Sequence, residues 1–212
     1  MNKKEIEQLR QREPAFVDHI GRIGPIILKS ERSRDPFLAL LRSITYQQLA
    51  GSAAKAIWTR VLALFPDEPP CAEALLLLRD DQLRAAGLSR SKALAMRDIA
   101  DKKLQGIVPN ARSISRMSEQ RIYEQLTQIR GVGPWTVEML LIFTLLRPDV
   151  MPATDYGIRK GFQVLYRKRE LPTPKHIEKF AQRWSPHRTT AALYLWRIAD
   201  SAKPVKRGAA TS

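Results

Sequence analysis

Residues 129 to 140 read IRGVGPWTVEML, and their types and spacing suggest chemistry before any fold is considered. Gly131 and Gly133 bracket Val132 in a stretch whose pattern is helical on both sides, and glycine is poor helix material. Something at this point needs bare backbone. Without a Cβ, amide N–H groups can approach a phosphate closely. Pro134 favours the first position of a helix, so a second helix restarts at once, with its positive dipole end aimed at the same place. Such a contact grips a nucleic-acid backbone and reads no base sequence. An ordinary helical corner can also use Gly-x-Gly, and these three residues alone leave both readings open. Trp135 adds an aromatic face immediately past the turn, and Asp155 is placed to cap a helix beginning at Tyr156.

The elements that must position these groups are helical almost throughout. Asp35-Pro36 opens a segment with Phe37, Leu40, Leu41 and Ile44 at helical spacing, and Gly51-Ser52 divides it into two helices joined near residues 49–52. A loop at 67–70 precedes a short helix over CAEALLLL and another from Asp80 to Gly87, a natural C-terminal glycine. LSRSKALAMRDIADKKL follows, with Ser89 or Ser91 as its cap, and residues 105–117 read as loop. Ser118 caps a helix to Ile129, and the helix begun at Pro134 runs to about Leu146. Helices over 156–167, 174–183 and 189–201 complete the pattern, with no strand alternation and no repeat.

The chain has 212 residues, 44% hydrophobic and 27% charged, which suits a folded core and excludes wholesale disorder. Its 36 Lys and Arg against 21 Asp and Glu give a net charge of +15, which attracts polyanions, nucleic acid first and an anionic membrane surface second. The opening MNKKEIEQLRQREPAF lacks the apolar stretch of a signal peptide, and no apolar run could cross a bilayer, so a cytoplasmic protein is expected, nucleoid-associated if bacterial. Cys71 is the only cysteine, which excludes an internal disulfide and a four-cysteine iron–sulfur cluster; it is expected to be buried or half-buried. His19, His176 and His187 lack metal-ligand spacing and read as surface or packing residues.

The stretch LTQIRGVGPWTVEMLLIFTLLRPDVMPATDYGIRKGF resembles the helix–hairpin–helix and Gly/Pro…Asp signature of the HhH-GPD DNA glycosylases. Within that superfamily it is most similar to the alkylation-repair branch, the AlkA-like 3-methyladenine DNA glycosylases II. DPFLALLRSITYQQLAGSAAKAIWTRV, GLSRSKALAMRDIA and RWSPHRTTAALYLW extend the resemblance over roughly residues 35 to 200, in the family's order. It implies an all-α fold of two helical lobes around a cleft. Residues 1–205 would form one glycosylase region, with 35–145 holding the hairpin, 1–34 plus 146–205 making the other lobe, and 206–212 a basic tail. The larger bacterial relatives carry an additional β-rich N-terminal domain for which this chain has no room.

The resemblance makes Asp155 the catalytic aspartate. Breaking an N-glycosidic bond leaves positive charge on the deoxyribose, which a nearby anion stabilises, and the same carboxylate can orient or deprotonate water. Members that also cut the strand carry a lysine just after the hairpin as a Schiff-base nucleophile; Trp135 stands there, and Lys160 does not match that motif. The implied enzyme is therefore a monofunctional hydrolase that leaves an abasic site. Trp135 and Trp196 match positions lining the family's base pocket, with Tyr46 and Tyr156 as further wall residues, whereas Trp58 and Trp184 read as core. Gln47-Gln48-Leu49 resembles the wedge segment, Leu49 filling the gap left by a flipped nucleotide and Gln48 beside the opposing strand. Gly131, Val132, Gly133, Arg130 and Arg159, with Lys160 and Ser89-Arg90-Ser91-Lys92, would meet the DNA backbone. No cofactor is required, although the family suggests a monovalent cation on hairpin carbonyls. The expected partner of this expected monomer is double-stranded DNA containing alkylated bases. A non-catalytic helix–hairpin–helix damage-binding protein is the rival reading, and a glycosylase for deaminated or etheno bases is the enzymatic one.

Overall fold

The computed structural model describes residues 3–28, 35–49, 51–65 and 69–202, and among them there is no strand. The helices are α1 (Lys3–Arg12), α2 (Val17–Ile23), α3 (Pro36–Tyr46), α4 (Gly51–Leu62), α5 (Ala72–Leu77), α6 (Asp80–Ala85) and α7 (Arg90–Leu104). They continue as α8 (Ala111–Ser115), α9 (Glu119–Leu126), α10 (Pro134–Met139), α11 (Tyr156–Leu165), α12 (Pro174–Ala181) and α13 (Arg188–Ser201). The chain divides into two compact units, Met1–Lys29 with Leu146–Ser212, and Ser30–Leu145. The expected basic tail at 206–212 and part of the 67–70 loop lie outside the described residues.

Helix starts follow local chemistry. Asp35 accepts from the Phe37 amide at 3.0 Å ahead of Pro36, Ser118 accepts from Arg121 at 3.3 Å, and Thr173 accepts from His176 at 3.2 Å ahead of Pro174. Each satisfies an amide that the helix leaves orphaned. Ser89 is the cap of α7, accepting from Lys92 N at 3.3 Å.

In the 30–145 unit, α3 packs on α7 and α10, burying Leu40, Leu41 and Ile44 with Met96, Ile99 and Val137. Each such side chain removed from water contributes roughly 1.5–3 kcal/mol. In the other unit, α11 lies against α13 at very close range. Gly161 permits this, because a Cβ there would fall 2.0 Å from the Leu195 carbonyl oxygen. Phe16, Phe162, Phe180 and Trp184 make an aromatic cluster beside that crossing, with Phe16 edge-on to Trp184 at 5.5 Å. His176 packs edge-on against Phe162, in keeping with a packing role.

Several expectations are corrected. Residues 105–117 contain α8, because Asn110 accepts from Ser113 N at 2.8 Å and Ile114 is buried, so a one-turn helix has both a start and an anchor. The helix from Pro134 becomes π-helical over Leu140–Thr144 rather than continuing unbroken to Leu146. Two N-terminal helices, α1 and α2, add their own buried residues Ile6, Leu9 and Ile20. Cys71 is exposed, not buried: it stands at the N-cap of α5, where its Sγ accepts from Ala74 N at 3.5 Å. No described helix is long and apolar enough to cross a membrane.

Candidate functional site

The hairpin belongs to the 30–145 unit, between α9 and α10, and its two glycines differ in kind. Gly131 has φ +75°, and a Cβ on it would lie 2.8 Å from the Ala95 Cβ. Its bareness is thus demanded by the fold itself. Gly133 has φ −96° and ψ −179°, extended backbone that any residue adopts, and a Cβ there would meet nothing within 4 Å. Its missing side chain leaves room for something outside the chain.

The hairpin amides divide the same way. Arg130 N donates to Asp98 Oδ2 at 2.7 Å, and Val132 N donates to the Ile129 carbonyl at 3.0 Å. The Val132 side chain is 3% exposed. Val132 is therefore a core residue of the turn rather than a DNA contact, a correction to the expectation above. The Gly131 and Gly133 amides take no partner among the described residues, and they sit where α10 presents its positive end. The Arg130 side chain is exposed beside them, and Trp135 is half-buried in the first turn of α10.

Beside the hairpin lies the turn that ends α3. Gln47 Nε2 donates to the Gly131 carbonyl and to Thr136 Oγ1, both at 2.9 Å. Gln48 adopts φ +57°, and Leu49 is 40% exposed. An interhelical leucine is ordinarily packed away, so this exposure suits a side chain meant to enter something else. Tyr46 is half-buried with the Arg42 guanidinium 4.9 Å above its ring, so a base could stack on one face alone. Lys92 corrects another expectation: its Nζ donates to the Thr45 carbonyl at 2.9 Å and the Gln47 carbonyl at 2.7 Å, so it braces this turn instead of meeting phosphate.

In the unit formed by 1–29 and 146–212, Asp155 is the N-cap of α11, its Oδ1 accepting from Ile158 N at 2.9 Å. The same oxygen accepts from the indole Nε1 of Trp196 at 2.8 Å. Gly157 makes that approach possible, since a Cβ there would come within 2.7 Å of Trp196 Cδ1 and 3.1 Å of Asp155 Oδ1. The sequence suggested Trp196 as an aromatic wall; its role as a donor to the carboxylate was not legible, because a hydrogen bond spanning 41 positions leaves no local signal. Tyr156 is 67% exposed beside Asp155. Arg159 Nε donates to the Pro172 carbonyl at 2.8 Å, and Lys160 Nζ donates to Gln163 Oε1 at 2.9 Å, so both serve local structure. Trp184 is fully buried, as expected, and Trp58 is half-buried.

A monovalent cation at the hairpin would need carbonyl oxygens with a lone pair to spare. The Ile129 carbonyl accepts one bond, from Val132 N, and the Gly131 carbonyl one, from Gln47, so each keeps a second acceptor site. The Gly133 carbonyl already accepts from both Thr136 N and Val137 N. Ile129 and Gly131 thus each keep an acceptor site that a cation could use. Among the described residues, no group of three or more His, Cys, Asp and Glu side chains could hold a metal.

Residues 41–187 match the family of HhH-GPD superfamily base excision DNA repair proteins. The chain belongs to the HhH-GPD superfamily. It is 38% identical over 182 residues to DNA-3-methyladenine glycosylase 1 of Schizosaccharomyces pombe, covering 84% of this chain and 80% of that protein. It is 28% identical over 188 residues to DNA-3-methyladenine glycosylase 2 of Escherichia coli, covering 84% and 63%. The solved structure of the S. pombe 3-methyladenine DNA glycosylase Mag1 in complex with abasic DNA superposes with a TM-score of 0.89, at 34% identity over 95% of this chain and 98% of that one. Within this HhH-GPD chain the matched span holds the hairpin, the Gln47–Leu49 turn and Asp155, while Trp196 lies just beyond it.

Proposed function

We propose that the protein is a monofunctional DNA glycosylase that extrudes alkylated purines of the 3-methyladenine and 7-methylguanine type from duplex DNA and hydrolyses their N-glycosidic bond. The observation that carries this reading is the Asp155 carboxylate, fixed at the start of α11 by two donors on one oxygen, in a chain of this superfamily. As the C1′–N bond breaks, its electron pair leaves with the base and neutralises the positive charge that alkylation placed there. No dedicated general acid is needed. The charge that develops on the sugar is stabilised by Asp155, and water adds at C1′ with its proton passing to the carboxylate or to solvent.

The remaining residues hold the substrate. The Gly131 and Gly133 amides grip phosphate, and a monovalent cation on the Ile129 and Gly131 carbonyls would add positive charge there. Leu49 fills the space of the extruded nucleotide with Gln48 at its side. Trp135 and Trp196 offer electron-rich faces to an electron-poor base, worth roughly 0.5–2 kcal/mol per contact. With Trp135 where strand-cutting members carry lysine, the product is an abasic site. Beyond that helix cap, a pure binding module would gain little from a carboxylate facing polyanionic DNA.

The test is incubation with methylated duplex DNA and chromatography of released bases, with sodium borohydride in a parallel reaction. Free 3-methyladenine or 7-methylguanine with strands intact until alkali treatment is expected. Tight binding without free base would support the damage-binding rival, and a borohydride-trapped protein–DNA adduct would contradict monofunctional hydrolysis.

A further inference from the structure

The turn carrying Gln48 and Leu49 is fastened from two directions by side chains that neither grip DNA nor touch the base in the reading above. Lys92 Nζ reaches the carbonyls of Thr45 and Gln47, the last acceptors of α3, where the helix dipole is negative. The backbone that carries this side chain is itself fixed, since the Lys92 amide donates to Ser89 Oγ at the start of α7. Burial lowers the Lys92 pKa, and a charge drawn out of water persists where acceptors compensate it. From the other side, Gln47 Nε2 ties the turn to the hairpin through Gly131 and to α10 through Thr136, which is buried.

Between these anchors stands Gln48 at φ +57°, a left-handed conformation that a residue with a side chain keeps only where its surroundings impose it. Leu49 follows, 40% exposed. Left alone, a surface turn with a left-handed glutamine and an exposed leucine would relax and fold the leucine down.

We propose that Lys92, together with Gln47, is a positioning device that holds Leu49 raised and in fixed register with the hairpin. The phosphate grip and the wedge are thereby presented as one preorganised piece, and little ordering remains to be done when DNA arrives. This inference rests on Leu49 being the wedge of a base-extruding glycosylase.

It is tested with two substrates that differ only in whether extrusion is needed: one methylated purine in a fully paired duplex, and the same lesion within an unpaired bubble. Losing charge-assisted hydrogen bonds, Lys92→Met should slow single-turnover excision from the paired duplex by about tenfold or more, and by less than about threefold from the bubble. In a Leu49→Ala background the same substitution should add almost nothing, because both act through one side chain. Lys92→Arg keeps the charge and guards against a misfolded methionine variant; a smaller loss, again confined to the paired duplex, is expected. Equal losses on both substrates, additive losses in the Leu49→Ala background, or no loss would overturn the proposal. Absence of release by the wild-type protein from either substrate would overturn the glycosylase reading, and this inference with it.

Discussion

Trp196 donates its indole N–H to Oδ1 of Asp155 at 2.8 Å, on the same oxygen that caps α11 by accepting from Ile158 N. Two donors on one oxygen fix the carboxylate's rotation about its own side chain, so its orientation is set before substrate arrives. Capping and chemistry are thus the same arrangement, and α11 and α13, the helices that carry the two partners, are packed together through Gly161.

Trp196→Phe keeps an aromatic face and removes the donor. Single-turnover excision should fall by about tenfold, the scale of one lost preorganised hydrogen bond, with DNA affinity nearly unchanged. Quenched-flow base release and an equilibrium binding assay separate the two effects; an unchanged rate would mean the indole N–H plays no part.

The hairpin glycines should respond oppositely. Gly131→Ala places a Cβ against Ala95 at a positive φ and should cost roughly 1–3 kcal/mol of stability in chemical denaturation. Gly133→Ala meets nothing and should cost less than about 1 kcal/mol as a weaker N-cap, yet it should reduce affinity for undamaged duplex. Loss of affinity without loss of stability at Gly133 is the informative result, and intact affinity there would place the phosphate elsewhere.

Leu49→Ala should cost little thermal stability, since the side chain is already 40% exposed, while slowing excision from paired DNA. An unchanged single-turnover rate would remove Leu49 from the extrusion step.

Asp149 supplies a pH signature in the same unit as Asp155. Burial alone would raise its pKa, but donations from Arg188 and Ser185 outweigh this and hold the carboxyl below the ordinary aspartate value. A depressed native pKa contributes stability that is complete above the unfolded value, about 3.9, and is lost as pH falls through the native one. Asp149→Asn should therefore lower Tm at pH 7, and its deficit relative to wild type should shrink below about pH 4. A deficit independent of pH would show that packing, not charge, is what the substitution removes.

Much of this was legible in sequence because it is local. Pro36, Ser118, Pro134 and Pro174 announce helix starts through caps and fixed backbone angles, and the spacing of Leu40, Leu41 and Ile44 betrays a buried face. What escaped depends on partners far along the chain. Val132 looked like part of a phosphate cradle until its amide was found on Ile129 and its side chain in the core. Lys92 looked like a phosphate ligand, yet its acceptors lie 45 and 47 positions away. Trp196 carried an aromatic expectation and delivered a hydrogen bond. Charge and aromaticity are visible in residue letters; the direction in which a lysine or indole donates is set by packing.

The most direct test of the central claim is single-turnover base release by Asp155→Asn. An asparagine oxygen can still accept from Ile158 N and Trp196 Nε1, so the fold and DNA affinity should persist while the anion is gone. The account predicts release of 3-methyladenine from methylated duplex reduced by at least about a hundredfold, with the dissociation constant for undamaged DNA nearly unchanged. Release at the wild-type rate from a folded, DNA-binding Asp155→Asn protein would contradict it.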